Sequence, residues 1–310
     1  MIAPEFDVII VGGGHNGLVA ANYLAMDGLR VCVLERRSIV GGAAVTEEFF
    51  PGYRNSLASY VVSLLRKEII DDLDLSNYGY ETVLLPNSFY PSLDGDYLLL
   101  TEDHTHNREQ IEKFSSKDFC ALEEFESVVD QVSGIISKYW AKPPPKLHSG
   151  GMIDIINGIK LGGDIYKLDA ESRFRLIQFL MGAPDTIIEG WFESEKIKAM
   201  IAAHCMPGNY ASLQQPGAGL AMLHHAVGEI EGNRGAWGIV KGGMGSITRA
   251  MAASAVAKDV DIRTDCEVER ILVEGNKVEG VRLKGGAILS AKIIAANTDP
   301  KRTFLTLLGE

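Results

Sequence analysis

The chain has 310 residues, 46% of them hydrophobic and 23% charged, with 33 glycines and a formal net charge of −11. That length buries a sizeable core as one large domain or two ordinary ones. The acidic balance disfavours phosphate backbones and anionic headgroups, which excludes nucleic acid as a partner class. No run approaches the ~18 apolar residues of a membrane span, so no integral membrane segment is expected. The N-terminus lacks a basic region, and Glu5 and Asp7 precede its short apolar run. That run reads as a strand rather than a signal peptide, so the chain is expected to be soluble and intracellular.

In chain order, Asp7–Val11 is an apolar run ending in glycines and predicts a buried parallel strand. Residues 14–27 predict a helix, with Leu18, Ala21, Leu24 and Ala25 on one face and Gly28 as its stop. Arg30–Glu35 predicts a second strand, completing a right-handed βαβ unit. Residues 118–140 are helical by the spacing of Phe119, Leu122, Phe125, Val129 and Val132, ending at Pro143–Pro145. Glycine-rich, partly apolar segments at 150–163 follow, then helical stretches near 170–182 and 193–206. Pro207-Gly208 and Pro216-Gly217 punctuate this region. Residues 244–257 predict a helix after the Gly242-Gly243 turn, and Asp261–Val268 a strand. Short strands at 271–273, 278–283 and 287–289 predict a meander, and Ile293–Asn297 a final buried strand.

Gly12-Gly-Gly14-His15-Asn16-Gly17 fits G-x-G-x-x-G in the context the motif requires, after a buried strand and opening a helix. Gly12 permits the tight turn, Gly14 lets backbone approach a pyrophosphate, and Gly17 lets the helix pack on the strand. The helix N-terminus presents free N–H groups and the positive end of its dipole to phosphates. Glu35 follows the second strand, where a carboxylate accepts ribose hydroxyls and repels a 2′-phosphate, disfavouring NADP. Arg36 and Arg37 soften that exclusion, or are solvated surface charges. The constellation predicts an adenine-dinucleotide site. Gly41-Gly42-Ala43 adds a second glycine pair with no role in a minimal NAD fold, where backbone packs beneath a pyrophosphate, which favours FAD.

The run from Val8 to Ala43 resembles the FAD fingerprint of the glutathione-reductase-type flavoproteins, and in detail the phytoene-desaturase and amine-oxidase branch. Gly41–Glu48, Pro51-Gly-Tyr53, Ser59-Tyr60 through Leu65, Gly235–Gly238, Gly242–Gly245 and Asn297–Thr303 resemble the phytoene dehydrogenase-like subfamily named for a pyridine nucleotide-disulfide oxidoreductase domain. The resemblance implies an α/β fold: a Rossmann-type FAD-binding domain with βαβ unit and β-meander, and an inserted, mainly helical substrate domain. On that reading residues 1–65 and 236–300 form the FAD-binding domain, 66–235 the substrate domain, and 301–310 the start of a further substrate-domain helix. The implied cofactor contacts are Gly12, Gly14, His15, Asn16, Gly17, Glu35, Arg36, Gly41, Gly42, Ala43 and Val268, the last through its backbone to adenine; core packing is the other reading of Val268. The implied activity is FAD-dependent oxidation of an apolar, isoprenoid-like substrate, with no catalytic residue named. The rival reading is a non-catalytic flavin-binding regulatory module acting through a protein partner. The resemblance further implies a longer protein, with the edge at residues 300–310 covered by another segment, a protein partner or an oligomeric copy. The location is cytoplasmic for a bacterial protein and the mitochondrial matrix if it follows animal relatives.

The remaining candidates are plainer. Cys32, Cys120, Cys205 and Cys266 form no C-x-x-C and read as reduced, mostly buried thiols, Cys32 and Cys266 within strands. His104-x-His106 sits in a polar stretch and reads as a solvated loop rather than a metal site. His224 and His225 are adjacent, so they do not share a metal on a helix; one of them is a candidate to line a substrate cavity. No metal site is expected. No G-x-S-x-G appears, so a hydrolase triad has no anchor. The apolar stretch Tyr53–Leu65 reads as core, with contact to a lipid-like substrate or membrane as the alternative.

Overall fold

The computed structural model describes residues 4–309 except Ala141, Leu147, Pro207 and Asn209. The Pro207 breaker and the terminal Glu310 lie outside the described residues. The chain forms two compact units, one comprising residues up to Leu84 and from Gly238 onward, the other Leu85–Trp237.

The first unit opens with β1 (Phe6–Val11), α1 (His15–Met26), β2 (Val31–Leu34), the hairpin β3 (Thr46–Phe50) and β4 (Tyr53–Ser56), α2 (Lys67–Asp72) and β5 (Thr82–Leu84). The second unit contains the hairpin β6 (Ser88–Pro91) and β7 (Tyr97–Leu100) followed by a run of helices. These are α3 (His104–Glu112), α4 (Ser116–Trp140), α5 (Met152–Tyr166), α6 (Ala170–Met181), α7 (Pro184–Glu189), α8 (Glu195–Ala203) and α9 (Leu220–Ala226). The short pair β8 (Glu229–Ile230) and β9 (Asn233–Arg234) follows. The chain then re-enters the first unit with β10 (Gly238–Val240), α10 (Gly245–Val256), β11 (Asp261–Arg263), β12 (Val268–Glu274), β13 (Lys277–Leu283) and β14 (Ile288–Ala296).

The first unit is a Rossmann-like α/β fold built on a six-stranded mixed sheet of order β11-β2-β1-β14-β13-β12. The first four strands run parallel and the last two antiparallel. β1 is apolar throughout its centre because it is buried on both faces. Val8 and Ile10 pack with Ala21 of α1 and Ala255 of α10, while Ile9 and Val11 pack with Val268, Ile271 and Val281 of the meander. Each such fully buried Val or Ile stabilises the fold by roughly 1.5–3 kcal/mol.

Several sequence expectations are corrected here. The strand expected over 261–268 is broken: β11 ends at Arg263, and Asp265 takes a left-handed conformation with φ 53°. The break lets the chain turn back onto the end of β2, where Asp265 N–H donates to Arg37 O and Cys266 N–H to Glu35 O. Cys266 therefore sits in a connector, and the run at 271–273 belongs to β12. The segments 287–289 and 293–297 form one strand, β14, that pairs antiparallel with β13 and then parallel with β1. Its outer half is not wholly buried, since Ile293 is 55% exposed.

The second unit is mainly helical around a core of Phe125, Phe179, Phe192, Ile197 and Leu223. The buried Asp118 carboxylate accepts from Glu193 N–H at 2.9 Å and Ser194 N–H at 2.8 Å, which secures the start of α8 to α4. Residues 104–112 form α3 rather than the expected loop, because Asp103 caps it by accepting from Thr105 N–H and His106 N–H. The glycine-rich segment near 150–163 folds as α5.

Candidate functional site

The Gly12–Gly17 turn joins the carboxyl end of β1 to α1. Gly12 adopts φ +106°, which a side chain strains against. A Cβ on Gly17 would collide with the Gly12 carbonyl oxygen and lie 2.8 Å from Asn297 Nδ2. Gly17 is thus glycine because helix and turn touch there. Gly14 caps α1 in an extended conformation, no side chain caps the helix, and no acid occupies its first turn. The helix end is left open to an anion.

Glu35 lies one residue past β2 and is buried. Its Oε2 accepts from Gly13 N–H at 2.8 Å and its Oε1 from Arg37 N–H at 3.0 Å. Each oxygen of an ionised carboxylate has further acceptor capacity after one such bond. The carboxylate is therefore fixed beside the glycine turn by two backbone donors.

The second glycine pair backs onto the first. Gly41 N–H donates to Gly13 O at 2.8 Å, and a Cβ on Gly42 would lie 3.2 Å from Gly14 Cα. Gly41 and Gly42 have φ of +133° and +57°, so both need glycine on conformational grounds as well.

These elements meet in a cleft of about 630 Å³ at the carboxyl ends of β1, β2 and β14. That volume is within the ~300–1,000 Å³ of small-molecule sites. β1 lies between β2 and β14, so the cleft sits where the strand order reverses, which is where ligands bind in open α/β sheets. Of the expected contacts, Gly12, Gly14, Glu35, Arg36, Gly42 and Val268 line it. Gly17 and Gly41 are buried behind it, while His15, Asn16 and Ala43 are exposed and do not line it. Val268 satisfies both of its readings, since it lines the cleft and is part of the meander core. Arg36 is exposed and forms no ion pair among the described residues, whereas Arg37 is paired with Glu47.

Sequence reasoning missed Asn297 as a site residue. Its N–H donates to Val11 O at 2.9 Å and its Nδ2 to Gly12 O at 3.2 Å, bracing the glycine turn from β14. Thr298, Asp299 and Arg302 continue the same wall. The only sequence signal was the run Asn297–Thr303 itself. A second cleft of about 530 Å³ borders the Gly242–Met244 turn, with Arg54 and Arg249 on its wall. There the N-terminus of α10 is held by the β3–β4 hairpin: Thr46 Oγ1 accepts from Gly245 N–H and Ser56 Oγ from Met244 N–H.

The other candidates resolve differently. No group of three or more potential metal ligands forms among the described residues. His224 and His225 pack ring against ring and against Trp140 and Trp237. Cys32 and Cys205 are buried, Cys266 is half-buried and Cys120 is exposed, so the expectation of mostly buried thiols fails only at Cys120. Burial pushes the Cys32 and Cys205 thiols up to about 12. The stretch Tyr53–Leu65 is not core: Val62 is buried, but Tyr53, Leu57 and Tyr60 are more than half exposed, because the hairpin pairs only with itself. No helix among the described residues is long and apolar enough to cross a membrane.

Residues 10–68 match the family model of an NAD(P)-binding Rossmann-like domain. The chain is 36% identical over 321 residues to pyridine nucleotide-disulfide oxidoreductase domain-containing protein 2 of Rattus norvegicus, a match covering 99% of this chain and 55% of that protein. It is 28% identical over 324 residues to a component of the limonene dehydrogenase of Castellaniella defragrans, covering 99% and 54%. Its fold is that of cyclohexylamine oxidase from Brevibacterium oxydans, with a TM-score of 0.55 at 20% identity, covering 96% of this chain and 59% of that one. The chain thus spans about half the length of the relatives it matches.

Proposed function

We propose that this chain, a homologue of the pyridine nucleotide-disulfide oxidoreductase domain-containing proteins, binds FAD through its N-terminal βαβ unit and serves an FAD-dependent oxidation of an apolar, isoprenoid-like substrate. The observation that carries this reading is the convergence of two glycine turns and the Glu35 carboxylate on one cleft at the carboxyl ends of parallel strands.

The residues fit a dinucleotide. The uncapped N-terminus of α1 and the backbone of Gly12 and Gly14 hold the pyrophosphate. Glu35 receives the ribose hydroxyls, and its negative charge in a buried site selects against a 2′-phosphate. Gly42, approaching Gly14 closely, leaves room that a side chain would fill, and Val268 bounds the adenine end. When bound, the isoalloxazine supplies the electron sink for hydride, and the protein supplies binding and orientation. The name of the limonene dehydrogenase relative supports an apolar hydrocarbon as the substrate class.

The test is the visible absorption spectrum of the 310-residue chain after incubation with FAD and gel filtration. Flavin bands that co-elute with protein are expected. A folded 310-residue chain that elutes without flavin overturns the reading.

A further inference from the structure

α5 carries its apolar stripe on the outside. Met152, Ile155, Ile156 and Ile159 recur at helical spacing and are 79%, 54%, 44% and 69% exposed. Tyr166 continues the stripe at 78% exposure. The opposite face is the one that docks: Ile165 packs on the core of the helical unit, and Asp164 accepts from Tyr139 Oη at 2.7 Å while pairing with Lys138 and Lys167. A helix that turns its narrow, glycine-interrupted side inward and its isoleucines outward is inverted relative to an ordinary surface helix.

The charges around the stripe are mostly positive. Between positions 138 and 167 there are five lysines against two aspartates, in a chain whose overall charge is −11. Both aspartates are engaged: Asp164 as above, and Asp154 by accepting from Lys146 N–H and Gly151 N–H. Lys142, Lys146 and Lys160 form no ion pair among the described residues and are exposed. Trp140, 47% exposed at the end of α4, and Tyr166 bring amphipathic rings to the same segment.

An apolar stripe flanked by exposed lysines that form no ion pair among the described residues and by exposed aromatics, on a helix too short and too polar to span, has the chemistry of a helix lying in the plane of a lipid surface. We propose that α5 and the end of α4 dock this protein on an anionic lipid bilayer, with Ile155, Ile156 and Ile159 in the acyl boundary and Lys142, Lys146 and Lys160 among the headgroups. Charges beyond ~10 Å are screened at 0.1 M salt, so the local lysine excess, rather than the overall charge of the chain, sets the attraction to the headgroups. This inference stands apart from the flavin reading, since none of these residues belongs to the glycine–Glu35 unit.

Flotation of the chain with vesicles tests it. In 0.1 M NaCl the chain is expected to float with 3:1 phosphatidylcholine–phosphatidylglycerol vesicles and much less with pure phosphatidylcholine. The double variant Ile156→Asp, Ile159→Asp should lower the partition coefficient at least a hundredfold, by removing two buried isoleucines. The triple variant Lys142→Gln, Lys146→Gln, Lys160→Gln should lower it about fivefold per lysine, on anionic vesicles only. All substituted side chains are exposed, and circular dichroism checks the fold; the lysine variant carries the test if the isoleucine variant unfolds. Absence of flotation by the unsubstituted chain overturns the proposal. So does flotation that neither variant changes. A dimer that the isoleucine variant splits, without flotation, assigns the stripe to a second copy and equally overturns it. Flavin absorbance measured on the same samples separates this result from the fate of the FAD reading.

Discussion

Replacing Gly17 by alanine tests whether the glycine turn, α1 and β14 really meet as one packed unit. In an ordinary exposed helix the change stabilises by about 0.5–1 kcal/mol, because alanine is the better helix former. Here the new methyl collides with the Gly12 carbonyl oxygen and lies 2.8 Å from Asn297 Nδ2. Reaching an ordinary contact of ~3.5 Å takes a shift of about 0.7 Å from Asn297 Nδ2, and more from the closer Gly12 carbonyl oxygen, in a close-packed region. Such overpacking costs about 1–3 kcal/mol. The Asn297 Nδ2 bond to Gly12 O, worth about 1 kcal/mol, is strained by the same shift. Against the helix-propensity gain, the net expectation is a loss of about 2 kcal/mol, or about 4–8 °C in Tm for a unit of this size. Gly162→Ala on α5 is the control, since a Cβ there meets nothing within 4 Å and should stabilise by about 0.5–1 kcal/mol. Thermal unfolding by circular dichroism, with and without FAD, reads both. A Gly17→Ala chain as stable as the unsubstituted one, or more so, refutes the packing argument. Equal stability of the two variants refutes it as well.

Two further outcomes are expected. Glu35→Gln replaces one acceptor oxygen by an amide donor beside the Gly13 and Arg37 N–H groups. It should weaken FAD binding about tenfold or more in fluorescence titration, a hydrogen bond to a charged group being worth about 1.5–3 kcal/mol; unchanged affinity removes Glu35 from the site. In the native chain at pH 8, Cys120 should alkylate first. Cys32 and Cys205 should stay unmodified, because thiols pushed up to about 12 hold almost no thiolate until the pH rises through that value. Mass spectrometry of tryptic peptides decides this, and early labelling of Cys205 contradicts its burial.

The β1–α1–β2 unit was legible in the sequence because its signals are local. A fully apolar strand, three glycines at fixed spacing and a carboxylate one residue past the second strand specify backbone conformation and helix polarity within 30 residues. The same locality explains the corrections. The partner switch of β14, from antiparallel with β13 to parallel with β1, depends on strands nearly 300 positions away, so the sequence reads as two short strands. The break after β11 depends on hydrogen bonds to the end of β2, which no periodicity encodes. Asn297 reads as an ordinary polar residue after a strand until β14 pairs with β1 and sets its amide against Gly12. The stretch at 150–163 reads only as glycine-rich and partly apolar; that it folds as α5, with Asp164 and Ile165 docked on the helical unit and the isoleucines turned outward, is decided by packing. What the amino-acid sequence by itself determines here is the dinucleotide-type turn and its acid, because both are written in consecutive backbone conformations. What the tertiary structure alone decides is which distant residues close the cleft and which face of α5 meets solvent. Those outcomes are set by non-local pairing and burial, whose partners are chosen only when the chain packs.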